Sequence, residues 1–300
     1  MLGVLVTRLK PSSLLPSAHG RALAWAAAGV AVMLVALVLS AVRWQRVLRA
    51  MELPARLTTL VSHSLAGLFV ANFLPSTIGG DVLRVARLSA ANGERPGSFA
   101  SVVLERLTGF VVLPALSLLA LFTHPQLMHL GAATNLAVTL SLGTLVLLGA
   151  VVIAAGNPRL GRRLADHPGW LRFLGAVHLG LDRIRRRPGA AASVLATAVA
   201  YQLAVVLAGW LAARALGIDL GWGAFMAFVP AVAIAQVIPV SFNGLGVREG
   251  AFVLFLTPLG IVARQAVALG LLLYAMNMAV SLLGAAAFAA GPRRGVRTAV

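Results

Sequence analysis

Long apolar runs constrain the fold of this chain more than any other feature. They cover residues 22–42, 98–122, 131–155, 190–213 and 264–290. A helix needs about 20 apolar residues to cross a hydrocarbon core about 30 Å thick, so each run is long enough to span a membrane. Only 11% of the residues are charged, whereas soluble globular proteins average about 25%. The sequence therefore predicts an all-α, polytopic integral membrane protein that folds as a helical bundle.

A duplicated polar pattern interrupts two further apolar regions, 58–95 and 222–261. Each copy has Pro, a hydroxyl residue two positions later, Gly five positions later and Arg nine positions later. The matching residues are Pro75, Thr77, Gly80 and Arg84 in the first copy, and Pro239, Ser241, Gly244 and Arg248 in the second. Irregular backbone at membrane depth is tolerated only where it is buried in protein or lines a cavity. We therefore expect two broken or re-entrant helical hairpins.

The distribution of basic residues predicts the topology. The linker 156–189 holds eight arginines and two aspartates, which places it in the cytoplasm by the positive-inside rule. Counting spans from this linker puts the C-terminal tail, 291–300, in the cytoplasm as well. The same count puts the N-terminal tail, 1–21, outside, although that tail carries Arg8, Lys10 and Arg21 and so runs against the rule.

This topology has the first hairpin enter from the cytoplasm and the second from the opposite face. Such an arrangement is typical of inverted repeats, in which transporters bind substrate near the midplane at interrupted helices. Within a transmembrane domain, 22–290, the predicted parts are a first repeat at 22–123, a linking helix at 131–155 and a second repeat at 190–290. A chance match of the pattern in a glycine-rich chain is the alternative.

The residues of the pattern are suited to binding an anion. In each copy the glycines precede a predicted helix, one from Asp81 to Leu88 and one from Val247 to Leu256, and a helix N-terminus presents unpaired N–H groups. A guanidinium binds a phosphate or carboxylate with two parallel hydrogen bonds. The alternative is a helix break capped by Ser241 or Asn243. The predicted headgroup-binding residues are Arg84, Arg248, Gly79, Gly80, Gly244, Gly246, Ser241 and Thr77.

Four ionisable residues are expected to set the charge balance of this site: Asp81, Glu105, Arg106 and Glu249. Asp81 and Arg84 stand three residues apart on one helical face and can pair. Glu105 and Arg106 lie within a predicted span, where ionisable groups usually face a bundle interior, and Glu105 is a candidate partner for Arg84. Glu249 points about 100° away from Arg248, toward a different partner. A carboxylate left without a cation would hold a proton, which suggests a proton-coupled role for Glu105 or Glu249.

Other polar and aromatic residues are weaker signals. His63 is predicted to be a hydrogen-bonded interior histidine rather than a cavity residue. The stretch 170–187 predicts either an amphipathic helix on the inner membrane surface or a solvated basic loop. Four more tryptophans join Trp170 near predicted helix ends, as interface anchors do: Trp25, Trp44, Trp210 and Trp222. No cofactor or metal is expected, because the chain has no cysteine and its histidines match no strong metal motif.

Three elements, in this order, resemble the lysylphosphatidylglycerol synthase transmembrane family of flippase-like membrane proteins. They are Val42 to Leu48, Asn72 to Arg84 and Gly244 to Ala251. The pair Glu105-Arg106 is similar to a fourth family element that usually has Asp. The resemblance runs from about residue 22 to 290. The family often has another N-terminal transmembrane helix, which the segment before Ala22 is too short to supply, and nothing after Gly291 is long enough for the aminoacyl-transferase domain of true synthases.

The resemblance implies lipid handling without aminoacylation. We expect a flippase or transporter of a polar or phosphate-bearing lipid in the plasma (inner) membrane, whose partners are anionic membrane lipids and not nucleic acid. The net charge of +17 fits contact with anionic headgroups. The alternatives are a membrane-embedded transferase, or an accessory subunit that works beside a lipid-synthesising enzyme in a glycolipid or isoprenoid-lipid pathway.

Overall fold

A computed structural model describes residues 20–73, 78–157, 172–185, 188–237 and 244–291. All the regular structure in these ranges is helical, which confirms the all-α prediction. The α-helices are α1 Gly20–Ala50, α2 Leu57–Phe73, α3 Ile78–Asn92, α4 Arg95–Thr123, α5 Ala132–Gly156, α6 Arg172–Arg185, α7 Pro188–Ala215, α8 Trp222–Ala235, α9 Val247–Leu256 and α10 Ala263–Ala289. Short 3-10 helices at Pro125–His129 and Thr257–Leu259 lie between them.

Five helices are long and apolar enough to cross a membrane, and they coincide with the five predicted runs. They are α1, α4, α5, α7 and α10. In the most apolar 18 residues of α5, only 17% are buried inside the protein. Val146, Leu147 and Ile153 of this helix expose more than half of their surface. Because water disfavours such apolar surface, these side chains suit contact with lipid. The chain is a multi-pass membrane protein.

The chain divides into two compact units. Unit 1 takes in residues 1–36, 112–144 and 202–280, and unit 2 takes in residues 37–111, 145–201 and 281–300. The core of unit 1 contains the stacked rings of Phe228 and Phe255, whose centroids lie 5.0 Å apart. The core of unit 2 contains Trp44 and Val177, both fully buried. Each unit holds segments of both predicted repeats, and the inverted repeat stays a prediction.

Each interrupted region forms two short helices. In the first region α2 packs against α3, and in the second α8 packs against α9. The breaks themselves, residues 74–77 and 238–243, lie outside the described ranges. Helix α9 begins at Val247 as expected, but α3 begins at Ile78, so Gly79 and Gly80 lie in its first turn rather than before it. The re-entrant path of both pairs stays a prediction.

The basic linker contains a helix, α6, which corrects the solvated-loop alternative for residues 172–185. One face of α6 packs within unit 2, where Val177 is fully buried. The His178 ring hydrogen-bonds through Nδ1 to the carbonyl oxygen of Ala155 at 2.7 Å. The guanidinium of Arg183 donates to the carbonyl oxygen of Met51 at 2.6 Å. Contact between the linker and anionic lipid stays a prediction.

Candidate functional site

Glu105, in the first half of α4, is the centre of a buried charge network in unit 2. Its side chain is 2% exposed. One carboxylate oxygen accepts hydrogen bonds from Nε of Arg43 at 3.0 Å and from Ser40 at 3.2 Å, and it also contacts Nη2 of Arg43. The other oxygen accepts a hydrogen bond from Nη1 of Arg84 at 3.2 Å. The predicted pairing of Glu105 with Arg84 is confirmed.

Asp81 extends this network on the neighbouring helix α3. Its carboxylate pairs with Nη1 of Arg84 at 3.2 Å, as the three-residue spacing predicts. It also pairs with Nε of Arg106 at 2.8 Å. Adjacent residues on a helix point about 100° apart, which lets Glu105 face Arg43 while Arg106 faces Asp81. Three guanidiniums and two carboxylates therefore meet in one network, which has an excess of one positive charge.

Aromatic rings fix the two innermost arginines of the network. The guanidinium carbon of Arg84 lies 4.2 Å from the ring centroid of Trp44, and that of Arg43 lies 4.7 Å from the ring centroid of Tyr201. Trp44 is fully buried and donates from Nε1 to the hydroxyl of Ser101 at 3.0 Å. The expectation that Trp44 anchors the chain at the membrane interface is therefore wrong, because its ring packs within unit 2 and supports a cation.

Some of the hydrogen-bond donors of the network have no acceptor. Nη1 of Arg43 and both Nε and Nη2 of Arg84 are buried and have no hydrogen-bond partner among the described residues. Buried polar groups in folded proteins are nearly always paired. These three nitrogens without a partner and the excess charge both make this network suited to accept an anion.

The second copy of the pattern lies in unit 1. Nε of Arg248 donates to Oε1 of Gln236 at 2.9 Å, and its guanidinium carbon lies 5.7 Å from the ring centroid of Tyr274. Gly244 has a φ of 79° and packs against the side chain of Gln236, so a Cβ there would be both strained and crowded. This copy presents an arginine, an amide and a tight glycine turn at the start of α9.

Glu249 has a separate role from Arg248, as the sequence predicts. Its carboxylate accepts a hydrogen bond from the backbone N–H of Gly246 at 2.5 Å, and so caps the first turn of α9. A Cβ on Gly270 would lie 2.9 Å from Oε1 of Glu249, so the glycine leaves room for the carboxylate. Oε1 is buried and has no hydrogen-bond partner within the described ranges.

The structure brings together only part of the predicted site. Arg84, Asp81, Glu105 and Arg106 share one network in unit 2, whereas Arg248, Glu249, Gly244 and Gly246 lie in unit 1. Thr77 and Ser241 lie outside the described residues. Gly80 is buried where α3 packs against Gly67 of α2. Binding of a headgroup by any of these residues stays a prediction.

Arg43 belongs to the network but is not among the residues that the sequence predicts for the site. The predicted span 22–42 stops one residue before it. Helix α1 instead continues to Ala50, and Arg43 is 5% exposed and paired with Glu105. The available signal is helical spacing: Ser40, Arg43 and Val47 fall on one face, and that face turns toward unit 2's core. A charge that follows an apolar run therefore does not always mark the end of a helix.

A comparison with family models matches this chain to the family described as Lysylphosphatidylglycerol synthase TM region. The match covers residues 1–284. It begins at the first residue, earlier than the resemblance read from the motifs, which begins near residue 22. No curated protein and no solved structure matches this chain.

Proposed function

Because the chain belongs to the lysylphosphatidylglycerol synthase transmembrane family, whose members are linked to lipid handling, we propose that it moves a phosphate-bearing lipid between membrane leaflets. The headgroup binds at the charge network of unit 2. The lipid chains stay in the hydrocarbon while the headgroup occupies a polar site inside the protein. We place the protein in the cell membrane, with its C-terminus in the cytoplasm.

The single observation that supports this proposal is that the buried part of the network, Arg43, Arg84 and Glu105, holds two guanidiniums and one carboxylate, whereas the Asp81–Arg106 pair is more exposed. The side chains of Arg43, Arg84 and Glu105 are all less than a tenth exposed. An uncompensated charge inside a membrane protein raises the free energy of the folded state by about 3 kcal/mol or more, unless an opposite charge or water stabilises it. A bound anion would remove that cost and would use the free N–H groups of both arginines.

The guanidiniums of this site favour binding of a phosphate group. The rigid fork of a guanidinium matches two phosphate oxygens at once, whereas an ammonium acts as a point charge. In unit 1 we propose Arg248 as a separate anion-contacting residue, with backbone N–H groups near Gly244 and Gly246 and the hydroxyl of Ser241 as further donors. In unit 2 we propose the hydroxyl of Thr77 as a further donor. The basic linker would concentrate anionic lipid at the cytoplasmic surface.

The test is movement of headgroup-labelled phospholipid across the bilayer of proteoliposomes, measured for the wild type, Arg84→Gln and Arg84→Lys. We expect Arg84→Gln to slow movement about tenfold or more, because a hydrogen bond to a charged group contributes about 1.5–3 kcal/mol. Arg84→Lys keeps the charge but loses the fork, so its rate should lie between the two.

The matched control is Arg214→Gln. Arg214 pairs with Asp219, whose side chain is 87% exposed, so this change removes one positive charge without touching the network. The control should move lipid at the wild-type rate. The proposal fails if the wild type moves no lipid of a broad panel, or if folded Arg84→Gln is as fast as the wild type. Product formation or stable co-purification with a lipid synthase would then favour the transferase or the accessory subunit.

A further inference from the structure

Two consecutive polar residues on α2 are buried without hydrogen bonds. His63 is 1% exposed and Ser64 is 9% exposed. Neither ring nitrogen of His63 nor the hydroxyl of Ser64 has a hydrogen-bond partner in the described part of the chain. The prediction of an interior His63 is confirmed, but the predicted hydrogen bond is not found. Each unpaired buried group is costly, so three such atoms on adjacent residues call for an explanation.

Both side chains lie on the face of α2 that packs against Arg84. A Cβ on Gly67 would lie 3.0 Å from Cγ of Arg84, which shows that this face of α2 covers the arginine. His63 and Ser64 precede Gly67 by four and three residues, so they share its face of the helix. Leu60, one helical turn before His63, belongs to the same buried cluster as Leu88 of α3. His63 and Ser64 therefore fall between these two contacts.

Arg87, the next arginine on α3, forms no hydrogen bond with His63 or Ser64. The guanidinium of Arg87 donates to the carbonyl oxygens of Ala287 and Phe288, each at 2.9 Å. Arg84, by contrast, uses Nη1 for Asp81 and Glu105 and leaves Nε and Nη2 unpaired. Unpaired polar atoms thus come from α2 and from α3 at the same crossing.

We propose that His63 and Ser64 complete the anion site of Arg84 and Arg43, and that this site takes the singly charged phosphodiester of a phospholipid. The inference rests on the proposed function. The network carries one excess positive charge, which one phosphodiester balances. The charge of Arg87 is not part of this count, because it faces the carbonyl oxygens at the negative C-terminal end of α10. A phosphomonoester carries about 1.5 to 2 negative charges at neutral pH and would leave the buried site negative. The hydroxyl of Ser64 and one N–H of His63 add hydrogen bonds to phosphoryl oxygens without adding charge.

The test measures binding of two soluble probes to purified protein by calorimetry. The phosphodiester probe is glycerophosphoglycerol and the phosphomonoester probe is glycerol 3-phosphate. We expect the wild type to bind the diester more tightly than the monoester. Ser64→Ala and His63→Phe should each weaken binding of the diester about tenfold, and His63→Gln, which keeps a donor, should weaken it less.

Ser141→Ala is the matched control. Ser141 is also a fully buried serine whose hydroxyl has no partner among the described residues, but it lies on α5 in unit 1. Its variant should bind the diester as the wild type does. Elution volume and melting temperature of each variant show whether it folds, and the same variants are assayed for movement of labelled phospholipid.

The inference is overturned if Ser64→Ala and His63→Phe fold, bind the diester and move phospholipid as the wild type does. Tighter binding of the monoester overturns the phosphodiester assignment. A wild type that moves phospholipid while these variants keep its rate defeats this inference but leaves the proposed function standing. A wild type that binds neither probe and moves no lipid defeats both.

Discussion

Gly67 and Gly80 pack so closely that a Cβ on Gly67 would lie 2.9 Å from the carbonyl oxygen of Gly80. Helices α2 and α3 therefore meet backbone against backbone. Small residues commonly allow such close approach between membrane helices. The contact also fixes the distance between the α2 face that carries His63 and Ser64 and the side chain of Arg84. A glycine of the duplicated pattern thus has a packing role at this crossing.

Gly67→Ala should destabilise the protein, because a methyl group at this crossing meets the backbone of α3 and the side chain of Arg84. Overpacking of this kind costs about 1–3 kcal/mol. The measurement is the melting temperature of the purified protein in detergent. Gly149→Ala in α5 is the control, because a Cβ there meets nothing within 4 Å. The control should melt at or above the wild-type temperature, and an equal loss in both variants would contradict the prediction.

Glu105→Gln should destabilise unit 2 strongly. The change leaves Arg43 and Arg84 buried and facing one neutral amide, and removal of one partner of a buried ion pair costs about 3–5 kcal/mol. Adding Arg43→Gln removes one of the uncompensated charges and should restore part of the loss. Melting temperatures of the two single variants and the double variant test this. A double variant less stable than either single variant would show that charge balance is not the cause.

Arg87→Gln should loosen the C-terminal end of α10. The guanidinium of Arg87 donates to the carbonyl oxygens of Ala287 and Phe288 in the last turn of that helix, where few backbone N–H groups remain to bond them. We expect faster amide hydrogen exchange in the last turns of α10 and a loss of about 1–3 kcal/mol in stability. Arg264→Gln, an exposed arginine at the other end of α10, is the control. Equal rates of amide hydrogen exchange in the wild type and Arg87→Gln would refute this role of Arg87.

The sequence predicts a proton-coupled role for Glu105 or Glu249, and the contacts of these two carboxylates differ. Glu105 faces the guanidiniums of Arg43 and Arg84, so the reason for expecting a proton there does not apply. Glu249 keeps one buried carboxylate oxygen without a hydrogen-bond partner among the described residues. We expect a pH gradient to accelerate lipid movement by the wild type but not by Glu249→Gln. Each rate is normalised to that variant's rate without a gradient, and a full response in Glu249→Gln would exclude this role.

Parts of the charge network could be read from the sequence. Asp81 and Arg84 stand at helical spacing, and an acid inside an apolar span needs a nearby cation, which made the pairing with Arg84 a reasonable prediction. Arg43 could not be recognised in the same way, because its partner is 62 residues away in the sequence. The prediction for Trp44 is wrong for a similar reason: position near the end of an apolar run says nothing about which side of the helix faces protein.

Apolar content and run length were enough to establish an all-helical membrane protein with five long spans, because the cost of unpaired backbone in lipid leaves few other choices. The motifs were enough to indicate the family. Only the tertiary structure decided which charges meet, that Gly80 packs against Gly67, and that His63 is buried without a hydrogen bond. These features depend on the rotation and register of one helix against another, which local sequence periodicity does not specify.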